Sequence, residues 1–162
     1  MRALLAGSTA GLGTFAFGLM GILEAYRPAQ LSALGFAIFA LILGGLQHPG
    51  KVAPFLFSGV VIGVGLAMVY RVGILPFLPS QPIAILSLLP FLALGGVARS
   101  FSPTAGAALD ANMIFLLLGQ GSVLAATDLR TVTVEGLSII IAAAAAAGIV
   151  SMLGRTGIVP SD

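Results

Sequence analysis

The sequence predicts an all-α fold, a polytopic integral membrane bundle of about six transmembrane helices. Two observations predict it. Of the 162 residues, 59% are apolar and 7% are charged, against about a quarter charged in a typical soluble domain. The mean hydropathy is +1.16, so a water-facing globule of this length would have no adequately solvated surface. Moreover, the apolar residues fall into runs close to the roughly 20 residues that an α-helix needs to cross a bilayer. No run shows the apolar/polar alternation of a membrane β-barrel.

The chain divides into spans near residues 3–23, 31–46, 52–70, 83–98, 103–126 and 136–153. The first, in "MRALLAGSTAGLGTFAFGLMGILEAY", begins like a signal peptide but runs longer than an ordinary apolar signal core, so it is predicted to remain as a helix. The second is short and ends at "QHPGK". The third is closed by Arg71. The fourth has Pro82 just inside its start, and Pro90 within it removes a backbone donor, so a kink is expected and a freed carbonyl needs a partner. The fifth opens with Ser102 as N-cap and Pro103 at the first helical position. The sixth contains "AAAAAAG" at Ala142–Gly148, a nearly smooth helix surface. Pro28, Pro49–Gly50, Pro79 and Pro82 punctuate the connections. The apolar, proline-broken "VGILPFLPSQP" after Arg71 is expected at the interface or as a bent extension of the third span. A single transmembrane domain over residues 1–162 is the expected organisation, with no room in these residues for a separate extramembrane domain.

Charge excludes some functions. The seven Lys and Arg are scattered singly with no basic stripe, so no nucleic-acid partner is expected. The partners expected are the lipid bilayer and a homo-oligomer or larger membrane complex. Each base lies near the end of an apolar run, where interfacial anchors belong. Arg2, Lys51, Arg99 and Arg155 fall on one side and Arg27, Arg71 and Arg130 on the other, which favours cytoplasmic termini. Glu24, Arg27, Asp128, Arg130 and Glu135 read as solvated loop charges. There is no cysteine, and His48 is the only histidine. No metal site, no cofactor and no catalytic residue set is expected, and the chain is not read as an enzyme.

The candidate functional residues are polar groups at membrane depth, which are costly there and usually face a cavity or a partner. Asp110 and Asn112 are the first two. If the fifth helix starts at Pro103, Asp110 lies about 10 Å along its axis. If it starts at Asp110, that residue is only an interfacial N-cap. Both readings are open from sequence. At about 100° per residue, Asp110 and Asn112 point almost oppositely and cannot line one narrow path. Gln120 is expected at a turn or interface. Arg99, before the tight Ser100–Ser102 link, is either a snorkelling anchor or a cation for Asp110 or an anionic substrate. Gly7 with Gly11 in "GSTAG" and Gly59 with Gly63 in "GVVIG" have the four-residue spacing of close helix packing.

Several segments in order carry a resemblance. They are "MRALLAGSTAGLGTFAF", "FLFSGVVIGVGLAMVYRVGILPFL", "LLPFLALGGVARSFSPTAGAAL" and "NMIFLLLGQ". Their order and spacing resemble one transmembrane half of the fusaric acid resistance and aromatic acid exporter family, collinearly from Arg2 to Leu153. The resemblance implies a bacterial-type inner-membrane, multi-pass efflux protein, and export of aromatic carboxylic acids. Typical members have two such membrane halves and sizeable cytoplasmic regions, so a half-sized exporter acting as a dimer is expected. In that reading Arg99 holds a substrate carboxylate and Asp110 is a proton-coupled carboxylate. The alternative is a non-transporting accessory subunit of a larger membrane complex, to which the Gly/Ala-rich helix surfaces are also suited.

Overall fold

A computed structural model describes residues 2–23, 26–46, 49–122 and 124–155. The expectations placed on Glu24 and His48 lie outside these residues. All regular secondary structure among the described residues is helical. The helices are α1 (Arg2–Leu23), α2 (Arg27–Gly45), α3 (Pro49–Met68), α4 (Gln81–Leu86), α5 (Leu89–Arg99), α6 (Ala105–Gly119) and α7 (Leu129–Arg155). A π-helical turn, Val69–Ile74, and a 3-10 turn, Leu75–Phe77, extend α3. Four stretches are long and apolar enough to cross a membrane: Arg27–Gly44, Gly50–Phe77, Gln81–Arg99 and Leu129–Val150. Ala10–Leu23 and Ala105–Gly119 are shorter apolar helices.

The chain forms two compact units, Met1–Pro54 with Leu137–Asp162, and Phe55–Gly136. In the first, α1 and α2 form an antiparallel hairpin. The Gln30 side chain donates to the Gly21 carbonyl (3.0 Å), and farther along Phe17 and Phe36 meet with ring centroids 5.7 Å apart. Gly13 lies directly beneath the Phe36 ring, where a Cβ would collide with it. The Ser32 hydroxyl reaches the Pro28 carbonyl of its own helix (2.9 Å) and the Ser138 carbonyl of α7 (3.1 Å). Gly35 packs against Ile139 and Ala142. On α7 the buried residues Ile139, Ala142, Ala143, Ala146 and Val150 repeat at helical spacing and form one face.

Gly7 and Gly11 were expected at a helix contact, and the structure differs. No described atom lies within 4 Å of a Cβ built at either. The close approach of α1 to α2 runs through Gly13 and Gly21 instead, because those two glycines face the Phe36 ring and the Gln30 backbone.

In the second unit, α3 and α6 run parallel and touch at backbone distance. A Cβ at Gly59 would meet the Ala107 carbonyl oxygen and come within 2.9 Å of the Asp110 Cβ. One at Gly63 would lie 2.6 Å from the Ala111 carbonyl oxygen and 2.8 Å from the Ile114 Cβ. Glycine pairs at this spacing let helix backbones meet and replace side-chain packing with extended van der Waals contact. α5 runs antiparallel to α6. Gly95 lies under Asn112, and Phe91 stacks on Phe115 with centroids 4.8 Å apart.

Four spans differ from their expected bounds by four residues or more: the second starts at Arg27 and not at Leu31, and the third, fifth and sixth differ as follows. The third does not close at Arg71. It continues to Phe77 through the wider π turn. Its buried stripe, Leu56, Val60, Val64 and Ala67, runs on into Tyr70 and Arg71, which are adjacent and both fully buried. The fifth span is a 15-residue helix ending at Gly119, not at Ala126. Gln120 takes a left-handed conformation (φ 59°) and Gly121 follows with φ 48°, which ends the helix. Its start is at Ala105 after Thr104, so Asp110 is in the second turn and is not an N-cap. The sixth span starts at Leu129, where the Asp128 carboxylate accepts from the Thr131 N–H (2.8 Å) and caps the helix.

The fourth span is interrupted, as Pro90 requires, between Leu86 and Leu89. The Leu88 N–H turns to the Ile85 carbonyl, leaving the Ala84 carbonyl without its helical donor. The Tyr70 hydroxyl (2.8 Å) and the Ser87 hydroxyl (2.7 Å) donate to that carbonyl instead. The Ala84 carbonyl, freed by the turn at Leu88 and not by the missing Pro90 N–H, which would have met Leu86, is thus satisfied by side chains from two elements.

Candidate functional site

The site begins at the C-terminal end of α6. The last carbonyls of any helix have no intrahelical partner and carry partial negative charge. Here the helix has 15 residues, fewer than the roughly 20 of a full membrane span. The described residues of the segment 120–128 form no regular helix, and non-helical backbone in an apolar setting is tolerated only where its polar groups are met. Arg71 meets them. Its Nη1 donates to the Leu118 carbonyl (3.3 Å). Its Nε and Nη2 both donate to the Ala126 carbonyl, at 2.9 and 2.6 Å.

The charge of Arg71 is balanced across the unit. Its Nη1 also pairs with Oε2 of Glu135 on α7, and the two side chains are 0% and 1% exposed. Desolvating two charges costs several kcal/mol per ion, and their attraction offsets this only when geometry is good and the remaining donors are used. One guanidinium here reaches two carbonyls and one carboxylate, so it joins the π turn, the end of α6, the 120–128 segment and α7. π-helical turns recur at functional sites because they displace a helix's side chains from regular register. This one brings both Tyr70 and Arg71 inside.

Tyr70 anchors the other side of the same turn. Besides its bond to Ala84, its hydroxyl lies 2.9 Å from the Ser87 Oγ. Its ring makes edge contacts with Phe91 and Phe115, at centroid distances of 5.8 and 5.7 Å. The Gln81 amide donates to the Gly121 carbonyl (2.5 Å), fastening the start of α4 to the turn after α6.

Asp110 lies elsewhere in the unit, at the level of Gly59, about 15 Å along α3 from Pro49. It is 1% exposed, and its Oδ2 is buried with no hydrogen-bond partner. Asn112 faces a different neighbour, as helical geometry requires. Its amide donates to the Leu92 carbonyl of α5 (3.4 Å). Arg99 is exposed at the end of α5, and no ion pair joins it to Asp110. The structure therefore does not bring Arg99, Asp110 and Asn112 to one point. Among the described residues no group of three metal-ligating side chains occurs.

Sequence reasoning missed Arg71 and Glu135. Arg71 was expected as an interfacial anchor and Glu135 as a solvated loop charge, and both are buried. The signal was present in the periodicity. Extending the Gly59–Gly63 stripe at helical spacing leads through Ala67 to Tyr70 and Arg71. Counting back from Ile139 in steps of three or four reaches Glu135 and Val132.

A polytopic α-helical membrane protein with charged and polar side chains buried among its apolar helices is the class that this fold and site define. The chain belongs to the fusaric acid resistance protein family, whose model matches residues 1–156, and its function lies in membrane transport. No curated protein and no solved structure matches it.

Proposed function

We propose that the chain exports small organic acids, aromatic carboxylates among them, across a bacterial-type inner membrane, and that proton movement through Asp110 drives export. The observation that carries this reading is Asp110 itself. It is a carboxyl group on an apolar helix, nearly without exposed surface, with an oxygen that no donor meets. Ionisable groups in that setting are expensive and mark ion and proton pathways. The bare backbone of α3 at Gly59 and Gly63 leaves a thin wall in front of it. Arg99, exposed at the end of α5, is the candidate cation at which a substrate carboxylate first docks. Asn112 holds α5 against α6.

The active form is an assembly with a second membrane half, in the simplest case a second copy of this chain. None of the residues of α5 is buried, so the face of this helix turned away from α6 is left to lipid or to a partner helix. Closed two-fold pairing is the commonest way such surfaces are covered. The test is uptake of a labelled aromatic carboxylate into vesicles containing the protein, with and without an imposed proton gradient. Protein-free vesicles give the passive baseline. The expected result is gradient-dependent uptake that falls to about a tenth or less in Asp110→Asn, a barrier change of ~1.4 kcal/mol or more. Unchanged gradient-dependent flux in the variant would remove Asp110 from the mechanism.

A further inference from the structure

We infer that Arg71 is an anion-exchange site, at which a small carboxylate takes the Nε–Nη2 edge of the guanidinium now closed on the Ala126 carbonyl, in competition with Glu135. This rests on the reading of the chain as an organic-acid exporter, and it adds a binding group that the sequence did not suggest.

The geometry supplies the argument. A guanidinium presents parallel N–H donors that match the two oxygens of a carboxylate. On Arg71 the Nε and Nη2 donors converge on one neutral carbonyl oxygen, at 2.9 and 2.6 Å. That edge is filled but not charge-matched. The one carboxylate paired to Arg71 sits at Nη1. Asp128, at the far end of the 120–128 segment, is also close enough for the Arg71 charge to help hold its carboxyl below its usual range, after the larger effect of the Thr131 N–H.

The element that would have to yield is suited to it. Ala126 belongs to the irregular segment between Gly119 and Leu129. Its carbonyl is held by Arg71 rather than by a helix. Displacing it therefore costs the hydrogen bonds from Arg71 and obliges the Ala126 carbonyl to find another donor, but leaves every helix intact. An incoming carboxylate replaces those bonds with charge-assisted ones, which are roughly twice as strong. Beside Arg71 on the same π turn, Tyr70 with Phe91 and Phe115 forms an aromatic cluster, chemically matched to a ring carried by that carboxylate. With Glu135 in place the exchange is poised rather than complete, because Glu135 and the ligand share one positive charge. Glu135 thus lowers apparent affinity, and that allows release as well as capture.

The test uses the full chain in lipid nanodiscs with benzoate as the probe. Wild type is compared with Glu135→Gln and with the double variant Arg71→Met with Glu135→Leu. Glu135→Gln removes the competing charge, so benzoate should bind about tenfold or more tightly than to wild type, the ratio expected when a competing state is removed. Benzoate should also raise the melting temperature of Glu135→Gln more than that of wild type. The double variant replaces the pair by apolar residues of similar bulk, which preserves folding. It should fold, melting somewhat below wild type because the Leu118 and Ala126 carbonyls lose their donor, and bind no benzoate. Equal benzoate binding by the double variant and wild type would overturn the inference, as would an affinity unchanged by Glu135→Gln. Vesicle flux separates this result from the parent reading. If the wild type transports and the double variant transports equally, the exporter reading stands and the Arg71 site falls. If Glu135→Gln binds benzoate tightly while wild-type vesicles move no organic acid, the site stands and the exporter reading falls.

Discussion

Arg71 and Glu135 balance each other's charge inside the unit. Removing one partner of a buried pair leaves an uncompensated charge and costs about 3–5 kcal/mol, whereas replacing both by apolar residues is often neutral. Arg71→Gln alone is therefore expected to lower stability by that amount, and Arg71→Met with Glu135→Leu to recover most of it. Thermal melting of the purified proteins in one detergent checks both. A smaller and pH-dependent effect belongs to Asp128. The Thr131 backbone N–H, the Thr131 side chain and then the Arg71 charge hold its carboxyl below the usual 3.8. A group depressed in the folded state contributes stability above its unfolded pKa and loses it as pH falls through the folded value. The difference in melting temperature between wild type and Asp128→Ala should thus be constant at neutral pH and shrink below about pH 4. Asp128→Asn, which keeps the capping oxygen, should melt closer to wild type at pH 7.

At the scale of elements, the α3–α6 contact decides the architecture of the second unit. Gly63 and Gly65 are two residues apart and have opposite surroundings. A Cβ at Gly63 would lie 2.6 Å from the Ala111 carbonyl oxygen, whereas no described atom is within 4 Å of one at Gly65. Gly63→Ala should destabilise by about 1–3 kcal/mol, through overpacking against backbone that cannot move aside. Gly65→Ala should be neutral, or stabilise by up to about 1 kcal/mol from helix propensity. Melting of the two variants side by side measures the difference. These elements also show what was readable from the sequence. The apolar runs placed the helices, and the interruption at Pro90 follows from its missing N–H. The bounds of the third, fifth and sixth spans were not readable from hydropathy. Arg71 and Glu135 looked like ends because charge usually leaves the membrane, and their pairing inside the unit could not be read from hydropathy. Gln120 ends α6 by backbone conformation, for which the flanking Gly119 and Gly121 were the available signal. Gly7 and Gly11 have the same spacing as Gly59 and Gly63, and spacing alone does not say which side of a helix meets a neighbour.

At the scale of the molecule, the burial of Arg71 bears on orientation. An arginine tied to Glu135 inside the unit is not a loop charge. The tally becomes Arg2, Lys51, Arg99 and Arg155 on one side against Arg27 and Arg130 on the other, a clearer bias toward cytoplasmic termini. Reporter fusions after α1 and after α5 are expected to read opposite sides, with the position after α5 cytoplasmic. In the proposed reading as an organic-acid exporter, the proton site at Asp110, beside Gly59, and the anion site at Arg71 occupy different levels of one helical unit. The most direct measurement is the proton count per aromatic carboxylate moved, read with a pH-sensitive dye inside vesicles and corrected for protein-free vesicles. The account predicts a fixed proton-to-substrate ratio in the wild type that disappears in Asp110→Asn. Carboxylate flux with no accompanying proton movement, or an unchanged ratio in Asp110→Asn, would contradict it.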